Sequence, residues 1–262
     1  MAENVDFTEV PHLQDILSFL PINPDDEEDI VNYIQNITNL IAVNYKYGQY
    51  QFAYFGVHLL YMTYIYCTAW KISQIEPERY KDAIVFARSY SGRENDFKIE
   101  DAESVFVYSL MPEKDIAKLF KIIELDNSQI SFVADLVDTR NEMAHASGKF
   151  KIPTEDSYDV QVNSVITSIK NVHKGMIPLI RKWYGQILIS FCKSEYEGYD
   201  EPRDFIAEQM IQSFKLSTNE LLICNEMSVS SLITEHRGYG TKLKEFKKAM
   251  TNYCLEMGYT LN

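Results

Sequence analysis

Apolar residues recur at three- and four-residue spacing along most of the chain, the mark of amphipathic helices. Ile30, Ile34, Ile37, Leu40 and Ile41 set a first helix that runs to about Tyr47. Asp25 or Asp26 suits its N-cap, and the acidic run through Asp29 suits the positive end of its dipole. From residue 48 to 69 the alternation disappears: no Asp, Glu, Lys or Arg occurs, and Phe52, Tyr54, Phe55, Val57, Leu59 and Leu60 dominate. That length would permit a membrane span. Gln49, Gln51, His58, Thr63 and the tyrosines argue instead for a helix buried in a bundle or at a dimer seam. On this reading His58 is a hydrogen-bonded core histidine.

Helical spacing continues over 76–90 and breaks at the polar residues 91–96. Short helices are expected at 99–110 and 113–123, with Pro112 between them. Asp126, Asn127 and Ser128 cap a helix that reaches Gly148, the residue type favoured for a left-handed C-terminal cap. After a linker ending at Pro153, residues 156–184 form a long helix that Pro178 should kink. Further helices are expected at 185–195, 202–214, 217–227 and 241–257. Leu221, Leu222, Ile223, Cys224 and Val229 could instead form a short strand or hairpin. The fold class expected is all-α with at most minor β. An irregular arm covers 1–25, a helical domain 26–184, and a C-terminal extension 185–262.

Composition narrows the function classes. The formal net charge is −13, whereas a generic nucleic-acid binder is basic. Long non-specific contact with nucleic acid is disfavoured, but a small basic pocket holding one loop of RNA is not. Basic residues do gather late in the chain, at Arg237, Lys242, Lys244, Lys247 and Lys248. Cys67, Cys192, Cys224 and Cys254 are widely spaced, which argues for a reducing compartment and against structural zinc. The first residues lack a basic stretch followed by an apolar one, so a cytoplasmic location is expected. No phosphate-binding loop, dinucleotide fingerprint, zinc motif or serine-nucleophile elbow is present, and no cofactor is expected.

The candidate chemistry lies at the end of the helix that Asp126 opens. Arg140, Asn141 and His145 fall where an apolar stripe through Ile130, Val133, Ala134 and Val137 turns polar. RNA is cut without a metal when its 2′-OH attacks the adjacent phosphate. That step needs a proton donor or acceptor working near neutral pH, a role for His145. Placed in the last helical turn, His145 suits a general acid for the departing 5′-oxygen. Arg140 can hold phosphate in a charge-assisted fork, and Asn141, one turn before His145, can orient the imidazole or the scissile phosphate. The plain structural alternative pairs Arg140 with Glu142 or another carboxylate and uses His145 to cap the last carbonyls.

The run Arg140-Asn141-Glu142-Met143-Ala144-His145, placed among long helices, resembles the motif of the HEPN superfamily. The resemblance covers roughly residues 26–184. It implies an up-down four-helix-bundle-like core and a metal-independent endoribonuclease acting as a toxin or antiphage-defence effector. It further implies an RNA substrate, no metal and a homodimer in which two motifs face each other. An antitoxin or other regulatory protein is a possible partner, and a non-catalytic module binding protein or nucleotide is the alternative. One copy looks insufficient, because Arg140 and His145 stand about 140° apart on an ideal helix. A second apolar stripe, Phe132, Leu136 and Met143, is expected to face the partner.

Overall fold

In the computed structural model, residues 9–22, 28–87, 104–145 and 150–259 are described. Asp25, Asp26, the 91–96 loop, the start of the helix expected at 99 and the Gly148 cap lie outside them. The described residues are mostly helical and contain no β-sheet, as expected; Pro21 and Ser217 form an isolated antiparallel bridge. The chain divides into two compact units, 1–20 with 26–175, and 21–25 with 176–262.

The first unit starts with α1 (Leu13–Leu17), inside the stretch expected to be irregular. Val10, Leu13, Ile16 and Leu20 are all buried, so apolar spacing overrides the flanking prolines. Phe19 meets the rings of Tyr64 and His173 edge-on. Helices α2 (Glu28–Lys46) and α3 (Tyr50–Ile75) follow as a tight hairpin. Gly56 makes their closeness possible, since a Cβ there would stand 2.4 Å from Ile41 Cγ1.

Helix α3 is buried almost all round, in keeping with the lack of charge from 48 to 69; its one charged residue, Lys71, is itself buried. Several of its polar groups find internal partners, although the Tyr54 hydroxyl has none among the described residues. Thr63 and Thr68 donate to carbonyls one turn back, the Tyr61 and Ser168 hydroxyls pair at 2.8 Å, and Tyr64 donates to the Ile169 carbonyl. No helix among the described residues is long and apolar enough to cross a membrane.

Helix α4 (Pro77–Ala87) is followed by a 3₁₀ turn at Val105–Leu110, a short α5 (Glu113–Ile116) and a second 3₁₀ turn at Ala117–Ile123. Helix α6 (Asn127–Ala144) opens on a capping box. Asp126 accepts from the Gln129 backbone, and the Gln129 side chain accepts from the Asp126 N–H.

Helix α7 (Glu155–Cys192) continues through Pro178 beyond the end expected at 184. Ile180, Tyr184, Ile187, Leu188 and Phe191 keep burying its later face, and this continued packing outweighs the lost hydrogen bond. Within the first unit, Gly175 lies against the chain at Ile123, whose carbonyl oxygen would be 2.8 Å from a Cβ. Backbone cannot step aside as a flexible side chain can. Gly175→Ala is therefore expected to cost about 1–3 kcal/mol, measured as a lower midpoint in chemical denaturation.

The second unit comprises the remainder of α7, α8 (Pro202–Phe205) running into a π-helical stretch at Ile206–Ser213, α9 (Thr218–Glu226), α10 (Ser230–Glu235) and α11 (Gly240–Glu256). Its core is aromatic: Phe205 meets Phe191 and Phe246, and Trp183 stacks on Phe214 at 3.8 Å. The strand alternative at Leu221 to Cys224 is corrected. Ser217 and Glu220 form a capping box that starts a helix there, with Leu221, Ile223 and Cys224 buried.

Candidate active site

Helix α6 presents the motif with a rotation that the apolar pattern did not predict. Its buried residues are Val133, Leu136, Val137 and Met143. The centre of that arc is turned by roughly a quarter of a circle from the stripe through Ile130, Ala134 and Asn141. The expected partner-facing stripe is thereby corrected. Leu136 and Met143 pack inside their own unit because they share the inward arc with Val133 and Val137.

Arg140 lies in the middle of this inward arc, three residues after Val137 and three before Met143. A cation at such a position needs a partner. Glu113, the first residue of α5, supplies it through an ion pair with Arg140 Nη2, and the two side chains remain 26% and 23% exposed. Glu113 also faces His58 of α3, whose Nε2 stands 3.9 Å from the carboxylate, too far for a hydrogen bond. His58 is only 1% exposed, and neither ring nitrogen has a hydrogen-bond partner among the described residues. The expectation of a hydrogen-bonded core histidine is thus half met: core, without the bond.

Electrostatics in this trio follow from burial. Desolvation holds the His58 imidazole below its ordinary range and outweighs the nearby carboxylate, so the ring stays neutral. Burial alone would raise Glu113. Its contact with His58 and the Arg140 charge overcome that and hold the carboxyl below the usual carboxylate range.

Arg140 is anchored at one corner by Glu113. Its Nε is buried and has no hydrogen-bond partner among the described residues, so donors of the guanidinium are left over. Asn141 is half-buried beside it. His145 is exposed at the C-cap, where the backbone leaves the helix for an extended conformation (φ −78°, ψ 139°). The three motif residues therefore do not converge within one copy: Arg140 faces inward and His145 outward. Charge around the helix end is closely balanced, with Lys114 paired to Asp138 and Lys151 to Glu142.

One neighbouring feature escaped the sequence reading. Gln51 donates weakly to the Met143 carbonyl at 3.5 Å and accepts from the Lys151 N–H at 2.8 Å, which ties the end of α6 to the start of α3 and to the chain after it. Alongside Gln51 opens a cavity of about 340 Å³ walled by Tyr50, Phe52, Phe150 and Ile152. Phe52 and Phe150 meet edge-on and are both exposed. The available signal was Phe52 and Phe150 flanking turns, masked by the apolar run into which Phe52 merges.

Among the described residues, no three His, Cys, Asp or Glu side chains gather as metal ligands would. Compared with protein-family models, with curated proteins and with solved structures, the chain matches none.

Proposed function

We propose that this protein is a metal-independent endoribonuclease of the HEPN type that cuts RNA by attack of the 2′-OH, acting as a toxin or antiphage-defence effector. The observation that carries the reading is the exposed His145 at the end of α6, five residues from an Arg140 whose side chain stays 26% exposed. The imidazole is accessible for proton transfer, and the guanidinium is positioned by Glu113 to take charge on a phosphoryl oxygen. The aromatic cavity beside Gln51 offers faces on which an unstacked base can rest. Because Arg140 and His145 point to different sides of the helix, the working site takes the two from different copies in a homodimer. An antitoxin or other regulatory protein restrains it in the cell, in the cytoplasm.

Expression of the wild type beside Arg140→Ala and His145→Ala tests this. Growth arrest with fragmented cellular RNA is expected for the wild type alone. Equal growth with intact RNA in all three strains would count against it.

A second reading has its own support. The Arg140–Glu113 pair already neutralises the cation, as expected for a non-catalytic helical module that binds protein or nucleotide. On that reading His145→Ala changes neither growth nor RNA.

A further inference from the structure

The hairpin of α2 and α3 turns one face to solvent, and that face differs from the rest of the chain. Leu40 and Val43 near the end of α2, and Tyr47 just past it, share one side of the helix and are all exposed, Tyr47 by 67%. On α3, Phe52 and Leu59 are exposed two turns apart. Gly56 lies between them. A Cβ there would stand 2.9 Å from Leu40 Cδ2, so Leu40 leans across the groove and joins the two rows into one surface.

Charge is missing from this face. Between 32 and 59, Lys46 is the only Asp, Glu, Lys or Arg, in a chain that is 24% charged with a net charge of −13. The other polar side chains exposed there are amides, among them Asn36, Asn39 and Gln49. From their exposed fractions the five apolar side chains leave roughly 450 Å² uncovered, large for a patch on a monomer. With the amides the face reaches the scale of the roughly 800 Å² that each partner gives to a standard interface.

We infer that this face is the seam of a homodimer, with α2 and α3 of one copy lying against α2 and α3 of a second. A two-fold contact joins a patch to itself, so the patch must be self-complementary. Apolar side chains meet that condition, and so do amides, which donate and accept alike. Like charges do not, and two chains of net charge −13 repel least where neither carries charge. RNA would call for a basic face, because its backbone is anionic, and one lysine is a poor match. The seam replaces the one expected on α6, where Leu136 and Met143 face their own unit. Phe52 ends it where the cavity beside Gln51 opens, and Gln51 reaches the Met143 carbonyl, so the end of α6 with His145 lies near the seam's edge. The two-copy site of the ribonuclease reading needs its second copy there. That consequence rests on the ribonuclease reading; the seam itself does not.

Mass measured without RNA tests the seam. Sedimentation of the full chain at about 50 µM, above the micromolar end of affinities for interfaces of this size, should give twice the mass of one chain. Val43→Asp/Tyr47→Asp puts carboxylates into the face and should sediment as one chain, as should Val43→Lys/Tyr47→Lys. An equimolar mixture of the two should regain the dimer. Both positions are exposed, so helical circular dichroism should match the wild type; if a double variant fails to fold, Tyr47→Asp at the more exposed position decides. Val85→Asp, on α4 and also exposed, should stay dimeric. A wild type with the mass of one chain would overturn the inference and leave the face to a different protein. So would a folded Asp variant that stays dimeric, a mixture no heavier than its parts, or loss of the dimer in Val85→Asp.

Discussion

His145→Ala is expected to lower RNA cleavage by about 10³-fold, the usual worth of a positioned acid or base. The side chain is exposed at the helix end, so its removal leaves the core intact and the melting temperature unchanged. Arg140→Ala should cost about 10²–10³-fold through lost stabilisation of charge on the phosphoryl oxygens, and it should also reduce stability because it strands Glu113. Asn141→Ala, which removes one orienting hydrogen bond, should cost only about tenfold. Cleavage rates and thermal melts on the same preparations separate these effects. If the motif works across two copies, mixing Arg140→Ala with His145→Ala protein restores part of the activity, since some mixed dimers then carry one intact site. Failure of the mixture beside an active wild type would place both residues in one copy.

Glu113→Leu carries the second large effect. It leaves Arg140 half-buried in the inward arc of α6 without its counter-charge, at an expected cost of about 2 kcal/mol. The double variant Glu113→Leu/Arg140→Met should recover most of that loss, because an apolar pair of similar size needs no compensation.

The pH dependence follows from the same trio. The folded-state pKa of Glu113 is depressed below 4.5, so its stabilisation is present above that value and lost as pH falls through the folded pKa. The folded-state pKa of His58 is depressed below 6.5. Below that pH the unfolded chain takes a proton that the native ring refuses, and stability falls with a slope of up to about 1.4 kcal/mol per pH unit. In His58→Leu the slope between pH 6.5 and 5 should flatten, read from urea midpoints across that range.

Local physics made much of this fold legible in the sequence. The capping box at Asp126 and Gln129, the buried helix around Tyr61 and the absence of any sheet among the described residues follow from side-chain type and spacing. The rotation of α6 did not, and the reason is specific. Two apolar arcs, one through Val133 and Val137 and one through Leu136 and Met143, overlap around Arg140. A periodicity count treats a charged residue as an edge, whereas the structure puts it near the centre. What decides the matter is Glu113, 27 residues earlier on a helix of four residues, which carries no local signal of its role. His58 joins the pair from another helix by the same non-local route.

The end chemistry of the RNA products tests the central claim most directly. The purified full chain is incubated with end-labelled RNA in excess chelator, and the fragments are examined at both new termini. Cleavage by the 2′-OH predicts 2′,3′-cyclic phosphate and 5′-hydroxyl ends for the wild type and intact RNA for His145→Ala. Fragments ending in 3′-hydroxyl and 5′-phosphate, equal cleavage by His145→Ala, or intact RNA with the wild type would contradict it.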